Sequence, residues 1–165
     1  MSQADREASY VEFVASRRDR FRRVAYALTG DWHRADDLVQ TALVKLYVAW
    51  PRVHRNGAEE AYLRTILVRA SIDESRRPWR RERATDTVPE GPGPQPTSVE
   101  DRSALVDALQ SLPPQQRAAV LLRHWLDLSV AETAKELGVN EGTVKSHTSR
   151  GLAALREVLV IADAG

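Results

Sequence analysis

At 165 residues and a formal net charge of +1, the chain suits one ordinary domain or two small ones. It has no global field that would mark a nucleic-acid binder, so any DNA affinity must come from local clusters. The absence of cysteine excludes disulfides and thiolate metal sites, and no apolar run approaches the roughly 18 residues of a membrane span, so a soluble cytoplasmic protein is expected.

Tyr10, Val14, Phe21, Val24 and Leu28 recur at helical spacing, widened by Phe13 and Ala25, and predict a first helix. Its opposite face holds Arg17, Arg18, Arg20, Arg22 and Arg23, which suits a solvated surface as well as a contact to phosphate or a partner. Thr29 and Gly30 stop this helix, and Asp31 caps the next. The second helix is the most regular, with Ala35, Leu38, Val39, Ala42, Leu43, Leu46, Tyr47 and Trp50 in one broad stripe. Val44 and Val48 lie off that stripe, where they either meet neighbouring helices or form a partner-binding patch.

Pro51 is expected to end the second helix and open a loop with His54, Arg55 and Asn56 at its tip. A third helix runs from about Ala58 to Arg77, with Leu63, Ile66, Leu67 and Ala70 as its core face. Beyond it Arg76, Arg77, Arg80, Arg81 and Arg83 crowd around Trp79. Arginines beside an exposed aromatic suit melted DNA, where cations track phosphate and the ring stacks on a base. The competing reading is that the cations favour a helix C-terminus while Trp79 covers a core edge.

Thr85 to Ser98 holds four prolines, two glycines and almost nothing apolar, so it reads as a flexible linker over 85–98. Two small helical domains result, 8–84 and 99–160, in an all-α protein. In the second, Leu105, Ala108, Leu109 and Leu112 mark one short helix, and Ala118, Leu121, Leu122 and Trp125 the inward face of another. Ala131, Ala134 and Leu137 then give a narrow apolar face to a helix ended by Gly138, and Asn140 is a good N-cap for a helix from Glu141. With Val144, Gly151, Leu152 and Leu155 inward, Lys145, Ser146, Ser149 and Arg150 face out. This is a helix-turn-helix whose second helix suits a DNA major groove.

No catalytic constellation emerges. His33, His54, His124 and His147 lie on separate elements without metal-ligand spacing, and Asp36 and Asp37 diverge by about 100° on a helix. Neither an enzyme nor a bound cofactor, metal or small-molecule substrate is expected.

Two helical domains, a proline-rich tether and a C-terminal helix-turn-helix together resemble the extracytoplasmic-function sigma factors of bacterial RNA polymerase, from about Tyr10 to Val158. DDLVQTALVKLY resembles that family's clamp-binding helix, and LPPQQRAAVLLRHWLDLSVAETAKELGVNEGTVKSHTSRGLAALR its domain four. The resemblance implies that Asp37, Leu38, Val39 and Gln40 engage core polymerase. It implies that His54, Arg55 and Asn56 capture a base flipped from the minus-ten element. The third helix, through Arg64, Arg69, Arg76 and Arg77, with Trp79 and Arg80 beyond it, would bind the strand being opened. Thr143, Lys145, Ser146, Ser149 and Arg150 match the minus-thirty-five readers, with Arg123 as a further phosphate or base contact. Core RNA polymerase, promoter DNA and an anti-sigma factor are the implied partners.

Arg69 stands where many relatives have asparagine, Thr133 replaces a branched aliphatic, and His147 takes a place often held by arginine. Two other readings compete. The helix-turn-helix also resembles stand-alone transcriptional regulators, and a sigma-like decoy would bind an anti-sigma protein without DNA. The N-terminal half lacks the strands of a receiver domain, and a decoy has no need of Arg150 or the Arg76 to Arg83 cluster.

Overall fold

The computed structural model describes residues 2–75 and 100–164, with side chains for 2–75 and 104–160. Among them every regular element is helical: α1 (Gln3–Thr29), α2 (Trp32–Arg55), α3 (Glu59–Ser75), α4 (Glu100–Gln110), α5 (Pro114–Val120), α6 (Val130–Leu137) and α7 (Glu141–Ala164). They divide into two compact units, Met1–Ser71 and Ile72–Gly165. No helix among the described residues is long and apolar enough to cross a membrane. The expected linker, Thr85 to Ser98, lies outside the described residues.

In the first unit α1 and α2 form a hairpin. Gly30 closes α1 in the left-handed conformation, φ 73°, and its N–H donates to the Tyr26 carbonyl at 2.7 Å. Asp31 then accepts the His33 and Arg34 N–H groups and starts α2. Phe21, Val24, Ala25 and Leu28 of α1 are buried, as are Leu38, Val39, Ala42, Leu46 and Trp50 of α2 and Leu63, Leu67 and Val68 of α3. Trp50 is fully buried, yet its indole N–H donates to the Ser9 hydroxyl at 2.9 Å, so the polar edge of a large core residue is satisfied.

Pro51 does not end α2, which continues to Arg55. A proline inside a helix leaves the carbonyl four residues earlier without its donor. Here that carbonyl, Tyr47 O, accepts Nη2 of Arg6 from α1 at 2.8 Å, and the same guanidinium lies 4.8 Å from the Tyr47 ring centroid. The substitute donor lets the helix run one more turn, which carries Val53 into the core at 3% exposure.

The second unit packs α5 and α6 against α7, with α4 alongside. Val106, Ala108, Leu109 and Leu112 are buried; Leu105, expected inside, is 40% exposed because Val106 takes the inward position. After α5 the backbone continues in a π-helical turn, Leu121–Trp125. That extra residue per turn rotates Trp125 outward to 44% exposure, which corrects its expected inward place.

Candidate functional site

Gly138 and Asn140 aim α7. Gly138 takes φ 68°, which a glycine adopts without the steric penalty of a side chain. Asn140 Oδ1 accepts the Thr143 N–H at 2.7 Å, satisfying a donor that the helix start would leave orphaned. At the other end of α6, the Ser129 N–H donates to Glu132 and the Glu132 N–H to the Ser129 hydroxyl, both at 3.0 Å. This capping box was readable as Ser129-x-x-Glu132 and escaped the sequence reading.

The inner face of α6 is not the expected one. Thr133, Ala134 and Glu136 are buried and Leu137 is half-buried, whereas Ala131 is exposed. Thr133 reaches 0% exposure because its hydroxyl donates to the Ser129 carbonyl at 2.8 Å, so a polar side chain serves where an aliphatic one is usual.

On α7, Val144, Gly151 and Leu155 turn inward, joined by Thr148, whose hydroxyl donates to the Val144 carbonyl at 2.7 Å. Lys145, Ser149 and Arg150 are consequently exposed, with Thr143 and Ser146 half-buried at the edge of their face. Five of the six expected duplex readers therefore share one helix, and neither Lys145 nor Arg150 is tied up by another described side chain. Such a face has cations for phosphate or guanine edges and hydroxyls for either donor or acceptor groups. Arg123, the sixth, is half-buried and donates from Nη1 to the Leu128 carbonyl at 2.6 Å, locking the corner where Asp127 adopts φ 56°. His147 is half-buried, with Nδ1 buried and without a hydrogen-bond partner.

In the first unit, Asp37 and Gln40 are exposed on α2, but Leu38 and Val39 are 6% and 4% exposed. Of the four residues expected to meet core polymerase, Leu38 and Val39 thus belong to the buried core, and Asp37 and Gln40 are the exposed pair. Asp36 is also engaged, since Arg22 Nε and Nη2 donate to its two oxygens at 2.7 and 3.4 Å. That hydrogen bond pushes the Arg22 guanidinium above its ordinary range. The same guanidinium lies 4.3 Å over Trp32, whose ring stacks on Tyr26 at 3.9 Å. The exposed edge of α2 thus presents Asp37, Gln40, Thr41, Val44, Lys45 and Val48, the two valines at 65% and 73% exposure. Burial of these valines against neighbouring helices, one of two expectations, does not occur.

The arginines of α1 are partly structural. Arg17 donates to Glu60 of α3, Arg20 lies 3.7 Å from the same carboxylate, and Arg22 holds Asp36. Arg18 and Arg23 are exposed. His54 and Arg55 belong to the last turn of α2, and Asn56 and Gly57 make the turn into α3. Arg55 and Asn56 point outward, while His54 folds back and stacks on Trp50, with ring centroids 4.7 Å apart and planes at 13°. On α3, Arg64 is half-buried and Arg69 exposed. Arg76, Arg77, Trp79 and Arg80 lie outside the described residues.

Residues 13–81 match the profile of Sigma-70 region 2, and residues 102–155 that of Sigma-70, region 4. The chain belongs to the sigma-70 family. It is 40% identical over 155 residues to the RNA polymerase sigma-E factor of Streptomyces coelicolor, covering 93% of this chain and 88% of that relative. The ECF RNA polymerase sigma factor SigE of Mycolicibacterium smegmatis is 37% identical over 159 residues, which is 92% of this chain and 62% of the relative. The sigma factor RpoE of Bartonella quintana, solved in complex with the anti-sigma factor NepR, matches with a TM-score of 0.75 at 26% identity, over 93% of this chain and 98% of that one. The fold is thus that of a small sigma factor, all-α and built of regions 2 and 4. Region 2 contains the outward Arg55 and Asn56, and region 4 the Lys145 to Arg150 face.

Proposed function

We propose that this sigma factor binds core RNA polymerase in the cytoplasm, directs it to a defined set of promoters and helps open them. The supporting observation is the pairing, in one chain, of a region 4 helix that exposes Lys145, Ser149 and Arg150 with a region 2 turn that holds Arg55 and Asn56 outward. In this reading Asp37 and Gln40, with the exposed edge of α2 behind them, contact polymerase. Thr143, Lys145, Ser146, Ser149 and Arg150 read the minus-thirty-five duplex. Arg55 and Asn56 receive a flipped minus-ten base, and Arg64 and Arg69, with Arg76, Arg77, Trp79 and Arg80, bind the separated strand.

The mechanism is physical. Unstacking a base costs a few kcal/mol, which a pocket and cationic contacts offset, while polymerase binding and duplex reading hold the promoter in place. Because the holoenzyme supplies much of the affinity, region 4 needs few cations of its own. An anti-sigma protein is the proposed inhibitor, as the Bartonella quintana relative was crystallised with one.

Purified core polymerase, this protein and a genomic promoter library, scored for initiated transcripts, test the reading. Transcripts that depend on the protein are expected. Duplex binding without core, and no dependent transcripts, would instead identify a stand-alone regulator; no DNA engagement with or without core would identify a decoy.

A further inference from the structure

Arg6 performs a task that the backbone of α2 cannot perform for itself. It stands near the start of α1, ahead of residue 13, where the match to Sigma-70 region 2 begins, so it lies outside the family profile. Its Nη2 donates to the Tyr47 carbonyl at 2.8 Å, in place of the N–H that residue 51 would supply were it not proline. No neighbouring carboxylate sets this placement: Asp5 is engaged by the Ser2 hydroxyl at 2.8 Å and Glu7 by the Gln3 amide at 3.4 Å. Nε of Arg6 is left buried without a hydrogen-bond partner, a cost that a side chain free to turn to water would not bear. The Tyr47 carbonyl, and the Tyr47 ring with its centroid 4.8 Å from the guanidinium, hold it there.

What hangs on this bond lies beyond Pro51. Val53 enters the core at 3% exposure, and the Val53 and His54 carbonyls accept the Ala58 and Gly57 N–H groups, each at 3.1 Å, which closes the turn into α3. Arg55 and Asn56 lie between these anchors and are exposed. Gly57 follows them at φ 63°, so the direction in which the pair projects is set by where α2 stops. The hairpin ahead of Pro51 is held by other bonds: the Trp50 indole N–H donates to the Ser9 hydroxyl at 2.9 Å, and the Tyr10 hydroxyl to the Leu43 carbonyl at 2.7 Å. Loss of the Arg6 donor therefore frees the turn after Pro51 and leaves the rest of the hairpin in place.

We propose that Arg6 is a positioning residue for base capture: by supplying the donor that Pro51 withholds, it carries α2 through to Arg55 and so aims Arg55 and Asn56 at the unpaired base. Arg6 does not itself touch DNA. The coupling is between a side chain of α1 and a proline of α2, so each is needed only in the presence of the other. The functional part of the proposal rests on the reading that Arg55 and Asn56 receive a flipped base.

Arg6→Ala, Pro51→Ala and the two together test it. In the full-length free protein, Arg6→Ala should shift the NMR signals of the Arg55, Asn56 and Gly57 amides. In the Pro51→Ala background residue 51 regains its N–H and the Tyr47 carbonyl its helical donor, so Arg6→Ala should there leave those three amides in place. In the holoenzyme, 2-aminopurine at the flipped position of a library-selected promoter reports opening. Arg6→Ala should lower opening about fivefold, as loss of one hydrogen bond of ordinary net strength does, and by less than about twofold in the Pro51→Ala background. Core-polymerase affinity, which in the proposed reading comes from the edge of α2 ahead of Pro51, should stay within about twofold throughout, an outcome that general unfolding would not give. Unchanged opening, equal losses in both backgrounds, unmoved amides at residues 55–57, or opening and core affinity that fall together overturn the proposal. If Arg55→Ala and Asn56→Ala holoenzymes open promoters normally, the base-capture reading fails and takes the functional part with it, while the amides still decide whether Arg6 sets the turn.

Discussion

Replacing Gly151 by alanine should loosen the seat of α7 without touching its exposed face. A Cβ at this position would lie 2.7 Å from Cγ2 of Val120 and 3.4 Å from the Gln116 carbonyl oxygen. Carbon atoms pack best at about 3.5–4.0 Å, so the substitution must open roughly 1 Å between α5 and α7. Val120 is 6% exposed and β-branched within a helical stretch, which leaves its obstructing methyl essentially one rotamer, so it cannot turn aside. The helices must therefore separate.

Overpacking of this kind costs about 1–3 kcal/mol, and alanine recovers about 1 kcal/mol of helix propensity over glycine. A net loss of about 1 kcal/mol follows, close to a fivefold fall in protection. Native-state hydrogen exchange in the full chain, read at the amides of α5 and α7, resolves it. In a Val120→Ala background the obstructing methyl is gone, so Gly151→Ala should there be neutral or stabilising by up to about 1 kcal/mol. Raised protection in the wild-type background, or the same effect in both backgrounds, would refute the close-crossing argument.

Arg150→Ala should weaken promoter use by about 1–3 kcal/mol if the side chain makes a good base contact, measured as holoenzyme affinity for a selected promoter; unchanged affinity removes it from the readers. Asp37→Lys should lower affinity for core polymerase while leaving circular dichroism and melting temperature intact, because the carboxylate is exposed and engaged by no described residue; normal core affinity would take Asp37 out of that interface. Ser129→Ala removes the hydroxyl that accepts the Glu132 N–H, while the backbone N–H of residue 129 can still donate to the Glu132 carboxylate, and should cost about 1 kcal/mol, seen as faster exchange at the Glu132 and Thr133 amides. Protection equal to wild type would show that the bonds that survive the substitution, among them that of the Thr133 hydroxyl to the carbonyl of residue 129, suffice to hold the helix start.

The elements that local chemistry dictates were legible in the chain. Gly30, Asp31, Gly138 and Asn140 act at the caps where their backbone freedom and side-chain oxygens suit them, and those caps set where α1, α2, α6 and α7 begin or end. The alternation of Val144, Gly151 and Leu155 with Lys145, Ser149 and Arg150 likewise separated an inner from an outer face, since a helical period needs no tertiary partner to be read.

What the sequence could not decide depended on groups far away along the chain. Pro51 reads as a helix end until Arg6 supplies the donor that Tyr47 O lacks, from 41 residues earlier. His54 reads as a loop-tip residue, but α2 runs on through Arg55 and the His54 ring stacks on Trp50, while Arg55 and Asn56 are exposed. Leu38 and Val39 are expected at a partner contact, but α1 and α2 pack so that, of residues 37–40, Asp37 and Gln40 are the exposed ones. Period and capping are properties of a few consecutive residues, and the sequence states them. Which polar groups find partners, and therefore which remain free to act, is settled only when separate helices bring their donors and acceptors within about 3 Å of one another.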